Sequence, residues 1–268
     1  MEYTKNVGEN VKGVYERSST LQKVILFAII LVLVYFMYTL LIKKTDEMIL
    51  LRQQSGKEPK VISKTRVPQV GASNYSMSVW FYINEWSYQY GKEKNIVARY
   101  VQDKNESDAK QYKPVPSITL DANTNDLLVK IAYYSPNKAE KKNEIKVHEC
   151  KIHGVPLQRW TYVNIVVHNR TLDVYIDGKL NRTCVIEGVP LSGIESDIFV
   201  SSSSYLEQPG FSGSISDLKL YTYAMNPNQV YNQYRKGNGL SSISSALDKY
   251  KLKFALLENN KEKSSYTI

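Results

Sequence analysis

The stretch Arg159–Val185, RWTYVNIVVHNRTLDVYIDGKLNRTCV, decides the fold. Val163, Ile165 and Val167 alternate with Tyr162, Asn164 and Val166. Leu172, Val174 and Ile176 then alternate with Asp173, Tyr175 and Asp177. A repeat of two in β-branched and aromatic residues fits a pleated strand, not a helix. Asp177-Gly178 supplies a two-residue turn, because both central positions of a type I′ turn need positive φ. Leu180–Ile186 returns as a third strand, and His168-Asn169-Arg170-Thr171 is a polar tip joining the first two. The stretch therefore predicts three consecutive antiparallel strands.

Short runs of the same kind recur on both sides. Met77–Ile83 and Asn95–Val101 come before it, followed by a hairpin of Ser117–Asp121 and Leu127–Tyr134 around Ala122–Asp126, and then Ile145–Ile152. Asp197–Ser201 and Phe211–Tyr223 come after it. Gln102–Pro116 and Ser135–Glu144 are polar and charged and read as surface loops. Many short strands separated by turn residues predict an all-β sandwich. Asn226-Pro227-Asn228-Gln229 then starts a helix. Asn226 caps it, Pro227 needs no N–H there, Val230, Tyr231 and Tyr234 form its packing face, and Gly237 stops it. In the tail, 240–268, Tyr250, Leu252, Phe254 and Leu256 alternate with Lys249, Lys251, Lys253 and Ala255, and Glu258–Lys261 turns the chain back as a hairpin. Ile243, Leu247, Tyr250, Phe254 and Leu257 also fit a helical stripe.

The N-terminal part is different. Residues 1–23 are a polar leader, flexible or weakly helical. Residues 24–42, VILFAIILVLVYFMYTLLI, carry no charge. As a helix they reach ~28 Å, close to the thickness of a bilayer's hydrocarbon layer. A retained single-pass transmembrane helix is the expectation. A cleaved signal peptide fits less well, because the run is long and no small-residue cleavage site follows. Lys12, Arg17 and Lys23 precede the run and Lys43, Lys44 and Arg52 follow it, so the positive-inside rule does not orient it. Residues 43–69 read as a basic stalk whose Asp46–Gln54 prolongs the helix by two turns. Residues 70–239 form the sandwich.

A resemblance emerges from two runs. Trp160–Val167 with Leu172–Leu180, and Gly210–Tyr221 followed by Ala224-Met225-Asn226-Pro227, look like the central hairpins, last core strand and following helix of the laminin-G-like, concanavalin A-like jelly-roll family. The resemblance implies an antiparallel jelly-roll sandwich; it leaves function open, since one fold hosts many. The run from Val155 through Lys179, with Cys184 in the return strand, is similar to laminin-G-like proteins encoded by large double-stranded DNA viruses. That similarity implies a membrane-anchored virion protein, a minor capsid protein linking an internal membrane to the capsid shell. The alternative it allows is a surface adhesin that binds glycans through its loop rim, with a glycoside hydrolase a distant third. The family often holds a calcium ion near that rim. Asp121, Asp126 and Asp197 are candidate ligands by residue type alone, and no pattern selects them.

The residues themselves predict a non-catalytic chain. A glycoside hydrolase needs two carboxyls, one to give a proton and one to attack or activate water. Glu195-Ser196-Asp197 comes nearest, with no third acid after it. His148, His153 and His168, with Cys150 between the first two, match no zinc spacing. No phosphate-cradling glycine loop and no Gly-x-Ser-x-Gly elbow occur. The formal charge is +9, from 35 Lys and Arg against 26 Asp and Glu. These cations are spread along the chain and build no nucleic-acid motif; they make a solvated basic surface, or one suited to anionic lipid or acidic partners. Tyrosines (21) far outnumber phenylalanines (6), as half-wet sheet surfaces or a binding face would require. Cys150 and Cys184 fall in strands flanking the central unit and read either as one disulfide or as two buried thiols. Asn-x-Ser/Thr sites stand at Asn74, Asn105, Asn169 and Asn181; the predicted loops make Asn105 and Asn169 the candidate glycosylation acceptors.

Overall fold

The computed structural model describes residues 20–42, 47–68, 70–103, 112–137, 142–191, 196–239, 253–258 and 261–267. The chain divides into two units, Met1–Thr45 and Asp46–Ile268. In the first, helix α1 spans Thr20–Ile42, 23 residues. Straight-chain and branched apolar residues with no Gly or Pro let the helix run unbroken. Its large apolar side chains from Val24 to Met37 are all exposed, from Leu26 at 47% to Tyr35 at 69%. The helix therefore has no polar face along this stretch. Among the described residues, no helix is long and apolar enough to cross a membrane.

The second unit is built of strands β1 (Glu47–Ser55), β2 (Lys60–Ile62), β3 (Asn74–Glu85), β4 (Lys94–Gln102), β5 (Tyr112–Leu120), β6 (Leu127–Asn137) and β7 (Lys142–Ile152). It continues with β8 (Trp160–His168), β9 (Thr171–Ile176), β10 (Lys179–Val185), β11 (Val189–Pro190), β12 (Ile198–Val200) and β13 (Ser212–Tyr221). One six-stranded sheet has the order β1-β13-β3-β8-β9-β10. The other, seven-stranded, has the order β11-β6-β5-β4-β12-β2, with β7 also paired to β6. All these pairings are antiparallel.

The alternation in Arg159–Val185 becomes this geometry directly. Val163, Ile165 and Val167 of β8 and Leu172 and Val174 of β9 point between the sheets at 0% exposure. There they meet Val79 and Phe81 of β3, Ile118 and Leu120 of β5, and Val129 and Ile131 of β6. Each such side chain contributes about 1.5–3 kcal/mol by leaving water. Asp177 and Gly178 turn the chain with φ of 49° and 77°, the two positive values the dipeptide predicts. Asp177 is pinned further, since its Oδ1 accepts from the Tyr162 N–H at 3.0 Å and its Oδ2 meets the Arg159 guanidinium.

The other face of β8 is covered too. Tyr162, Asn164 and Val166 are buried as well, because helix α2 (Pro227–Arg235) packs outside this sheet. Asn226 and Gln229 close a reciprocal capping box at its start, each side chain accepting from the other's backbone N–H. Val230 is fully buried, and Tyr234 stacks on Trp80 with centroids 5.6 Å apart. Tyr231, expected on the packing face, is 45% exposed. Gly237 ends the helix at φ 78°.

Several sequence expectations are corrected. Glu47–Ser55 is a strand, not two further turns of the N-terminal helix, and residues from Glu47 onward belong to the sandwich, not to a stalk. Leu51 enters the core, and Lys219 of β13, 8% exposed, ties to Glu47 at 3.1 Å and Asp217 at 2.8 Å. β2 seals the other sheet against β12, burying Ile62. The pairing groups left open on β13 and β12 decide this, and local propensity carries no record of them. Ser135–Glu144 is likewise not a loop up to its tip: the β6–β7 ladder runs to Asn137↔Lys142. A polar edge hairpin needs no apolar signal to pair. β5 begins at Tyr112, inside the expected Gln102–Pro116 loop. In the tail, the backbone of β14 (Lys253–Glu258) pairs antiparallel with β15 (Lys261–Thr267). The polar leader up to residue 19 and the tail at 240–252 lie outside the described residues.

Candidate functional site at the sandwich rim

The β3–β4 loop, the β5–β6 turn and the β7–β8 loop meet at one end of the sandwich. Backbone bonds hold them together: Gly91 N–H to Ala122 carbonyl at 3.0 Å, Val155 N–H to Asn125 carbonyl at 2.7 Å, and Gln158 N–H to Ile83 carbonyl at 2.8 Å. Asp121 opens the turn. Its Oδ1 accepts from the N–H groups of Asn123 (2.9 Å) and Thr124 (3.1 Å). Asp126 closes it, accepting from the Thr124 hydroxyl (2.7 Å) and the Gly154 N–H (3.0 Å), with His153 Nδ1 at 3.2 Å. Lys151 Nζ lies 3.1 Å from Asp121 Oδ2 and 3.1 Å from Asp126 Oδ2.

These contacts set the charges. Burial alone would raise the Asp121 carboxyl, but two backbone N–H groups and the Lys151 ammonium outweigh it and hold it at about 2. Burial likewise opposes ionisation of Asp126; Thr124, Gly154, Lys151 and His153 together hold its carboxyl well below the usual range. Both carboxylates in turn raise Lys151. Beneath them lies Lys94, 1% exposed, with Nζ 4.6 Å from the Trp86 ring centre and no hydrogen-bond acceptor. Burial pulls its amine below the ordinary lysine value, opposed in part by the charge of Asp121. On the outside, Lys57 sits over the Tyr88 ring at 4.8 Å and Tyr90 is 64% exposed. The rim thus combines aromatic faces with a closed ion network.

A second polar group lies on the outer face of the seven-stranded sheet. Glu93 accepts from Lys130 (2.7 Å), Thr119 (2.6 Å) and Gln208 (3.0 Å), and Lys130 also reaches Glu149 at 3.5 Å. Tyr205 stacks on Tyr112 at 4.2 Å beside Tyr100 and Phe199. Lys130 stands between the two carboxylates as a shared counter-ion, so the pair closes a network.

The structure sorts the residues singled out in the sequence. Cys150 and Cys184 form a disulfide with Cα atoms 6.0 Å apart, joining β7 of one sheet to β10 of the other. Asp121 and Asp126 come together; Asp197 does not, its Oδ1 accepting from the Lys64 N–H elsewhere. The calcium expectation fails a fit test here, because the oxygens of Asp121 and Asp126 are already taken by N–H groups, a hydroxyl and an ammonium. No group of three or more His, Cys, Asp or Glu side chains able to hold a metal occurs among the described residues. His148, His153 and His168 lie apart, on β7, after it and at the end of β8. Asn169 sits exposed at the β8–β9 turn with φ 53°; Asn105 and Glu195 lie outside the described residues. Lys151, Lys94, Trp86 and Glu93 escape a reading by sequence. The Lys130–Glu149 pair was recoverable, since opposite charges facing each other across a hairpin follow from its register.

Two antiparallel sheets packed over one apolar core define a β-sandwich class. Residues 56–231 match the family model described as the Concanavalin A-like lectin/glucanases superfamily, Laminin_G_3, and the chain belongs to that family. No curated protein matches it in sequence. Among solved structures it is similar to the botulinum neurotoxin serotype D/C binding domain, with 14% identity and TM-score 0.47, over 70% of this chain and 45% of that one. The receptor binding domain of the C/D mosaic serotype gives 13% identity and TM-score 0.47, over 71% and 44%. The serotype G binding domain gives 14% and 0.43, over 69% and 46%. The chain thus spans less than half the length of these solved chains. At such scores the likeness says nothing about function.

Proposed function

We propose that the chain is a membrane-anchored, non-catalytic interaction protein, in which one helix holds lipid and the sandwich docks on protein. The fuller reading is a minor capsid component linking an internal membrane to the shell of a large double-stranded DNA virus, with capsid proteins and the bilayer as partners and no nucleic acid. The observation that carries the anchor is α1. Apolar side chains stand exposed on every side of it, and an all-round apolar helix is stable only where water is excluded. The uncharged sequence runs on to Ile42, reaching membrane length. The absence of catalysis is supported by the way each clustered carboxylate is tied to a lysine.

The test is fractionation of the full chain. It is expected to stay with membranes at alkaline pH, and a Leu31→Lys/Leu33→Lys variant to be released. In particles it is expected to remain with protein shells after detergent removes lipid. Release of the unaltered chain by carbonate overturns the anchor, and loss from stripped shells overturns the capsid role. A second reading, glycan recognition by the rim, is favoured by the exposed Tyr90 beside Tyr88 and Trp86. Binding of the full chain on a glycan array, lost in Tyr90→Ala, selects it; hydrolysis of any glycan overturns the non-catalytic reading.

A further inference from the structure

The rim raises a question that its family makes natural: what cation, if any, holds it. Asp121 and Asp126 are contributed by the two ends of one turn, and both aim an oxygen at a single point. A calcium ion there would need six to eight oxygens at about 2.3–2.6 Å. The point is instead taken by Lys151 Nζ, 3.1 Å from each carboxylate. The remaining oxygens are committed as well. Asp121 Oδ1 accepts two backbone N–H groups, Asp126 Oδ1 accepts the Gly154 N–H, and Asp126 Oδ2 also serves Thr124 and His153. A divalent ion would have to displace an ammonium that both carboxylates already hold.

We infer that Lys151 is the resident cation of the rim: a covalently supplied ammonium does the work of a metal ion, and the loops are ordered without divalent cations. Lys151 comes from the end of β7, the strand that carries Cys150 into the disulfide, so the ion is delivered by an element fixed on both sides. The consequence for recognition is direct. Anything bound by the β3–β4, β5–β6 and β7–β8 loops is bound equally well in chelator, whether or not α1 enters a membrane.

The experiment is thermal unfolding of the full chain in detergent micelles, in EDTA and in millimolar calcium. The unaltered protein is expected to unfold within about 1 °C in the two conditions, as a protein with no native-state site must. Lys151→Met is expected to unfold roughly 5 °C lower. Lys151→Arg, which keeps the charge and can bridge two carboxylates, is expected to recover most of that loss. A midpoint raised several degrees by calcium in the unaltered protein overturns the inference, as does a Lys151→Met variant that melts with the unaltered chain. Should Lys151→Met fail to fold, Lys151→Arg decides: near-normal unfolding supports the charge role, and equal damage overturns it.

Discussion

Removing the Cys150–Cys184 bond should cost most of the stability that any single pair of residues supplies. The bond spans 34 positions in sequence. In the chain-entropy account, closing a loop of that length removes freedom from the unfolded chain worth about 4 kcal/mol at 25 °C. Its position adds to the effect. β7 and β10 are edge strands of different sheets, so no ladder of hydrogen bonds joins them. Both cysteines lie in the core, at 0% and 8% exposure, and beside them Arg182 of β10 donates to the Lys151 carbonyl of β7 at 2.8 Å. The variant to make is the double Cys150→Ala/Cys184→Ala, which leaves neither a lone thiol nor a buried hydroxyl. Urea unfolding of oxidised and variant chains, followed by tryptophan fluorescence, measures the difference. With a denaturant slope of about 2–3 kcal/mol/M, the midpoint should fall by roughly 1.3–2 M. A fall below about 0.3 M would show that the sheets are clamped without the bond and would refute the reasoning.

Asn226→Ala removes one side of the capping box and should cost about 1 kcal/mol, read as a lower unfolding midpoint with altered Trp80 emission, since α2 lies on that ring. Gly213→Ala places a Cβ 1.9 Å from the Tyr82 carbonyl oxygen across the β13–β3 ladder; a loss of about 3 kcal/mol or more, or failure to fold, is expected by circular dichroism. Stability should fall in acid. Asp121 is held at about 2 in the folded chain against an ordinary 3.8, so its contribution is complete above pH 4 and is lost as pH falls toward 2. At this partly open rim that amounts to about 1–2 kcal/mol after solvent screening. Midpoints measured from pH 5 to 2 should drop less steeply in Asp121→Asn than in the unaltered chain.

How far the sequence went depended on how local each signal was. Alternation in Val163–Ile176 reports a strand with two unlike faces, because the pleat sends neighbours to opposite sides. It does not report that α2 covers the second face, where Tyr162 and Asn164 are buried. The capping chemistry of Asn226-Pro227 and the turn chemistry of Asp177-Gly178 were legible because each acts over three or four residues. Asp46–Gln54 was misread as helix for the converse reason. Its apolar residues fit either period over so short a run, and only the open edge of β13 chooses between them.

The candidate site shows the same division more sharply. Asp121 and Asp126 could be suspected as a pair, being five positions apart around one turn. Lys151 and Lys94 lie about thirty positions away in opposite directions, and nothing in their neighbours marks them. By itself, then, the sequence determined an uncharged apolar run, a set of short strands, their tightest turns and the start of one helix, since these follow from residues in contact along the chain. The tertiary structure decided which strands pair, which cysteine meets which sheet, and that the rim is neutralised by a lysine, because the free energy of those contacts belongs to partners that only folding brings together.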